Sequence, residues 1–169
     1  MVFFILVFNI LITCLWAMDF SVGYDSLSLI TMFGKGKSVQ AEVACNCLED
    51  IRISLKPSYH FIKEETFELN CLELGVAVDF YPFYPFGFYT GVSIGRFCYL
   101  FGYDRPEKNF LHLVDIRIGY SLTLAKVLLD FRLVLLEPGE NFGTEAAILA
   151  DHFYEFKKYS FVLLVGYQF

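Results

Sequence analysis

Nine charged residues recur at the polar positions of otherwise apolar, alternating segments: Glu42, Arg52, Lys56, Glu73, Asp79, Asp115, Arg117, Asp130 and Arg132. An ionised group set among apolar neighbours is tolerated only when it is paired and hydrogen-bonded. The chemistry these residue types offer is a carboxylate–cation network that fills an interior and selects one strand register. Lining a narrow path for a small or hydrophobic solute is the alternative use of the same groups.

Other reactive residues are scattered. His60, His112 and His152 fall in different segments, with no H-E-x-x-H or paired-His spacing to suggest a metal. No Ser stands in a G-x-S-x-G context. A rim-sited enzyme acting on lipid, built from separated Ser, His and Asp, would leave no linear motif, so it stays as a third reading. No residue is assigned to catalysis, a cofactor or a metal, and the expectation is a non-enzymatic protein. The net charge of −6, with no Gly-rich phosphate loop or basic aromatic patch, excludes nucleic acid as a partner.

The elements that position these groups follow from the apolar pattern. The chain has 169 residues, is 56% hydrophobic and has a mean hydropathy of +0.51, too apolar for an ordinary soluble domain. Residues 1–17, MVFFILVFNILITCLWA, read as a secretory signal ending in Leu15-Trp16-Ala17, and residues 18–169 as the mature domain. The segment lacks Lys and Arg, which leaves an uncleaved anchor as an alternative. Leu11-Ile12-Thr13-Cys14 offers a loose lipoprotein box, with Cys14 acylated, as another. Beyond Ala17 no apolar run approaches the ~20 residues of a membrane helix. An exported, apolar chain without such a helix points to a closed β-barrel, because only helices and closed barrels satisfy every backbone group in lipid.

From Asp19 onward the apolar residues alternate with period two, the strand period. The pattern predicts strands at 18–30, 38–47, 51–61, 67–81, 86–101, 110–121, 126–137 and 159–169. Residues 138–158 are expected to be one long loop with a short helix around Ala146 to Phe156, since a ninth strand would break the even count of bacterial barrels. A three-residue turn at 48–50 sets Glu42 opposite Lys56. A four-residue turn at 122–125 sets Ser121 against Lys126, Asp115 against Arg132 and Arg117 against Asp130. Short turns at 48–50, 82–85 and 122–125 alternate with longer connections at 31–37, 62–66, 102–109 and 138–158, which puts the latter outside and both mature termini on the periplasmic side.

Cys45 and Cys47 lie two apart on one strand, a poor geometry for a mutual disulfide. Cys71 and Cys98 sit on adjacent strands, but the face-consistent register sets Cys71 against Phe97 and leaves Cys98 on the opposite face. The cysteines are therefore expected as small apolar filler, with a disulfide only if the register shifts.

The chain ends Phe161-x-Leu163-x-Val165-x-Tyr167-x-Phe169, which looks like the targeting signal of outer-membrane barrels. With the signal segment and the aromatic hairpin from Tyr81-Pro82-Phe83 to Gly95, it makes the chain resemble the small bacterial outer-membrane β-barrel family, the OmpX/OmpW/OmpA-type barrels. The resemblance implies an all-β, closed, antiparallel, up-and-down transmembrane barrel of about eight strands in the bacterial outer membrane. Outer-membrane lipid and the barrel-assembly machinery, reached through the C-terminal strand, are the implied partners, together with an external ligand or host contact at the loops. Tyr81, Phe83, Tyr84, Phe86, Tyr167 and Phe169 are expected in a periplasmic aromatic girdle; filling the core of a soluble β-domain is the alternative use of these rings.

Overall fold

Successive side chains of a strand point to opposite faces, so an apolar row and a polar row separate cleanly only if the sheet has an inside and an outside. The computed structural model describes residues 19–26, 36–64, 67–83, 87–102, 109–138 and 144–169. Its strands are β1 (Asp19–Asp25), β2 (Gly36–Gln40), β3 (Glu42–Leu48), β4 (Ile51–Lys63), β5 (Glu68–Phe80), β6 (Phe88–Phe101), β7 (Phe110–Leu124), β8 (Val127–Pro138) and β9 (Tyr159–Gln168). The first predicted strand is seen as far as Asp25. The signal segment, Cys14, residues 27–35 and 103–108, Tyr84 and Phe86 lie outside the described residues.

β2 and β3 are one stave of the wall, because both pair with β4 in the register expected for that hairpin, from Gly36↔Ile62 to Cys45↔Ile53. They part at Ala41, whose N–H bonds the Pro57 carbonyl at 3.0 Å. Pro57 has no N–H to return, so the ladder lapses there. Each remaining strand pairs antiparallel with its neighbours in chain order, and β1 pairs with both β3 and β9. The ring is a closed, eight-stave barrel. At the seam the Phe169 N–H donates to the Phe20 carbonyl at 2.8 Å, so no edge is left.

The outer face is apolar. Leu72, Leu74, Ile116, Ile118, Phe131 and Leu133 are exposed there, while Asp79 and Asp130 are wholly buried inside. This inverts the distribution of a water-soluble protein and matches that of a barrel seated in lipid.

Two expected registers are corrected. At β7–β8 the turn is the two residues Ala125 and Lys126, both at positive φ (49° and 86°), the geometry of a primed hairpin turn. The ladder therefore runs to Leu124↔Val127, and Ser121 faces Asp130 while Gly119 faces Arg132. The slip of an even number of residues keeps every side chain on its expected face but abolishes the Asp115–Arg132 and Arg117–Asp130 pairs. At β5–β6 a bulge intervenes: Gly95 and Arg96 are both buried, so the alternation changes phase. Cys71 faces Leu100, not Phe97, and Cys98 points inward. The β3–β4 turn is likewise tighter than expected, Glu49–Asp50, with an irregularity between Asn46 and Leu48.

The described part of 138–158 does not lie out on the surface as an open loop. Helix α1 (Thr144–His152) and a 3-10 turn at Tyr154–Phe156 fold into the barrel at the end with the longer connections. Ala146, Leu149, Phe153 and Phe156 are fully buried against inward Ile62, Leu69, Leu100, Leu113 and Leu136. That end of the bore is an apolar core closed by a plug.

Replacing Ala125-Lys126 by Asn-Gly, which adopt positive φ without strain, should stabilise the barrel by roughly 1 kcal/mol. Urea unfolding followed by circular dichroism checks this; a lower midpoint would contradict the primed turn.

Candidate functional site in the barrel interior

An eight-strand barrel has an interior just wide enough for its own side chains. Small inward residues make the room: a Cβ at Gly91 would stand 2.0 Å from Asp79 Oδ1, and one at Gly119 would stand 2.6 Å from the Tyr89 hydroxyl.

Toward the short-turn end, the charges form a closed lattice. Arg132 spans Glu42 and Asp130, donating from Nη2 to Glu42 Oε1 at 2.7 Å and to Asp130 Oδ2 at 2.6 Å, and from Nη1 to Glu42 Oε2. Arg52 joins the same two carboxylates, at 3.2 Å to Glu42 and 3.1 Å to Asp130. The Tyr89 hydroxyl donates to Asp130 Oδ1 at 2.7 Å, and Arg52 Nη1 donates to the Tyr81 hydroxyl at 3.2 Å. Beside them Arg117 grips Asp79 with two bonds, Nε to Oδ1 at 2.6 Å and Nη2 to Oδ2 at 2.9 Å, and also reaches Ser54. Three carboxylates meet three guanidinium groups, so this layer is neutral.

A second cluster holds the plug. Arg96 Nε donates to Glu73 Oε1 at 2.6 Å, its Nη1 to the Glu155 carbonyl at 3.2 Å, and its guanidinium lies 5.1 Å from the centre of the Phe156 ring. His60 bridges Glu73 and Glu155, both at 3.1 Å, and Phe153 and Phe156 pack on its ring. Gln40 Nε2 donates to Glu155 Oε1 at 2.5 Å, and the Tyr154 hydroxyl donates to Asp25. Burial disfavours the Glu155 carboxylate, but the hydrogen bond and charge of His60 outweigh it and hold the group below its ordinary pKa.

Between the clusters lies a cavity of about 40 Å³ bordered by Gln40, Ser93, Arg96, Arg132 and Glu155, room for about three waters. Each of these five side chains has one buried polar atom without a partner among the described residues. These polar atoms border a space large enough to admit water.

All nine sequence-selected charges face this interior. Eight are buried, and Lys56, half-buried, borders the cavity. Glu42 is in line with Lys56 in the β3–β4 register, as expected, but its carboxylate bonds Arg52 and Arg132, and Asp115 lies 3.8 Å from Arg96. Sequence reasoning missed Arg96, because only the bulge turns it inward, and Glu155, because nothing in 138–158 alternates. It placed Tyr81 in the girdle, whereas its hydroxyl reaches Arg52 and Ser121 inside. Tyr167, Phe83 and Phe169 are exposed.

The histidines do not converge. His112 stacks on Phe97 outside, with ring centroids 5.0 Å apart, and His152 bonds Glu64 at 3.3 Å. Among the described residues no group of three His, Cys, Asp or Glu side chains could hold a metal. Ser38, His60 and Glu73 are linked in the order of a nucleophile, base and orienting acid. Ser38 is completely enclosed, however, and its hydroxyl is also bonded to Glu155 and Gln40, so it has no face open to a substrate.

No protein-family model matches the chain, and no curated protein is similar to it.

Removing one member of a buried ion lattice leaves its partners unpaired, at a cost of about 3–5 kcal/mol. Arg132→Met should therefore destabilise the barrel by that order, whereas Lys56→Met should cost under about 1 kcal/mol; equal effects in urea unfolding would contradict the lattice. Because its folded-state pKa is depressed, Glu155 contributes stability that is fully present above about pH 4.5 and is lost as pH falls further. Protection of the 144–156 amides, taken relative to the intrinsic exchange rate at each pH, should fall below that pH, and Glu155→Gln should flatten the dependence.

Proposed function

We propose that the chain is an integral bacterial outer-membrane β-barrel protein whose bore is closed, and that it serves at the surface as a non-enzymatic anchor for its longer connections. The single observation that carries this reading is the inverted distribution: a ring of exposed apolar side chains around a closed barrel whose buried charges are paired within. Lipid can cover such a face, and water would not. The resemblance to the OmpX/OmpW/OmpA-type barrels supports it from the sequence side. Phe161, Val165, Tyr167 and Phe169 are exposed on one face of the closing strand, where an assembly machinery that reads alternate apolar residues can reach them. External ligands or host surfaces would meet the long-loop end, where Ala147 and Asp151 of α1 stay exposed.

The channel reading is less well supported, because the bore is blocked twice: by the lattice of Arg52, Asp130 and Arg132, and by Phe153 and Phe156 of the plug. Cell fractionation with a heat-modifiability gel and liposome flux tests both readings. Outer-membrane location, a heat-dependent shift in mobility and no flux are expected. A soluble product would overturn the barrel's setting, and steady flux of small solutes would overturn the closed bore.

A further inference from the structure

Two thiols are brought together by the very bulge that the sequence does not show. Because β6 changes phase at Gly95-Arg96, Cys98 joins the inner face and stands opposite Glu73, while Cys71, two residues along β5, stands opposite Leu100. The two cysteines are thus diagonal neighbours on adjacent strands of one face. Both are completely buried in the apolar core beneath the plug, with Leu149 and Phe153 in the same cluster. They stand here as free thiols.

We propose that Cys71 and Cys98 are a disulfide-forming pair, joined when the chain folds under oxidising conditions. Diagonal partners in an antiparallel sheet lie ~7–8 Å apart at Cα, against ~5.5–6 Å for a disulfide. Closing that gap takes a shift of about 1–2 Å, along strands whose pairing already slips by one residue between Val76 and Ala77. The thiolate of one cysteine attacks the disulfide of an oxidant, such as a disulfide-bearing oxidase or oxidised glutathione, breaking its S–S bond, releasing one of its sulfurs as a thiolate and giving a mixed disulfide with the other. The second thiolate then displaces the oxidant as its thiol, so two protons leave, two electrons reduce the oxidant, and the Cys71–Cys98 bond remains. The exchange must precede seating of α1, because the folded barrel encloses both sulfurs. The bond would fasten β5 to β6 next to the place where the β6–β7 ladder lapses, between Val92 and Arg96, and so stiffen the wall against which the plug rests.

Only the presence of an oxidising compartment rests on the outer-membrane reading, and the test separates the two. The chain is folded from urea into detergent micelles in a glutathione redox buffer, unfolded in SDS with N-ethylmaleimide, and mapped by peptide mass. Peptides of Cys71 and Cys98 joined together, with Cys45 and Cys47 alkylated, are the expected result. Alkylation of Cys71 and Cys98, or their pairing with other cysteines, overturns the proposal. The same map is made on protein trapped with maleimide in cells. A bond present after refolding but absent from cells would uphold the pair and count against export to an oxidising compartment.

Discussion

A carboxylate buried in the bore of a narrow barrel has no water to turn to, and everything else in this structure follows from how that is met. Glu42, Asp79 and Asp130 come from three different staves, and Arg52, Arg117 and Arg132 tie them together, across staves in every pair but Arg132–Asp130, which lie two residues apart on β8. Such a lattice closes only in one register of β3, β4, β5, β7 and β8. It contributes little net stability, since desolvation offsets most of the Coulomb gain, but it penalises every alternative pairing by stranding a charge. The glycines opposite it, Gly91 and Gly119, are the space it needs.

The other end of the bore is solved differently. There the inward residues are Leu69, Cys71, Cys98, Leu100, Leu111 and Leu113, and water would be as unwelcome as an unpaired charge. Helix α1 and the turn behind it bring Leu149, Phe153 and Phe156 down as a stopper, and Glu155 carries one charge to the boundary, where His60 and Gln40 receive it. The interior is therefore polar in one half and oily in the other, with a small cavity at the junction. A sealed bore suits a protein that works through the loops it holds up.

Much of this is legible in the amino-acid sequence. Period two places Glu42, Arg52, Asp79, Arg117, Asp130 and Arg132 on the inner face, because alternation depends only on the pleat. It cannot say which charge meets which, since partners are set by turn geometry: positive φ at Ala125 and Lys126 moves the β7–β8 register while leaving every face unchanged. The bulge at Gly95-Arg96 is invisible because both phases of β6 contain apolar residues, and Arg96 and Cys98 are misplaced with it. The short helix expected in 138–158 is present, but that it seats inside the barrel, bringing Glu155 with it, is unreadable for a different reason. A helix that packs inside a barrel needs only a few buried positions, and Ala146, Leu149, Phe153 and Phe156 straddle a break in periodicity between α1 and the 3-10 turn.

The central claim is that the apolar outer face meets lipid while the charged face is sealed within. The chain's one tryptophan, Trp16, lies in the expected signal segment, so a single Trp placed in the mature barrel at Ile116, Leu133 or Leu74 reports on its own surroundings. After reconstitution into vesicles, bromine on the lipid acyl chains should quench each of these, and aqueous acrylamide should not. Quenching by acrylamide with no response to brominated lipid would show a barrel standing in water and would contradict the account.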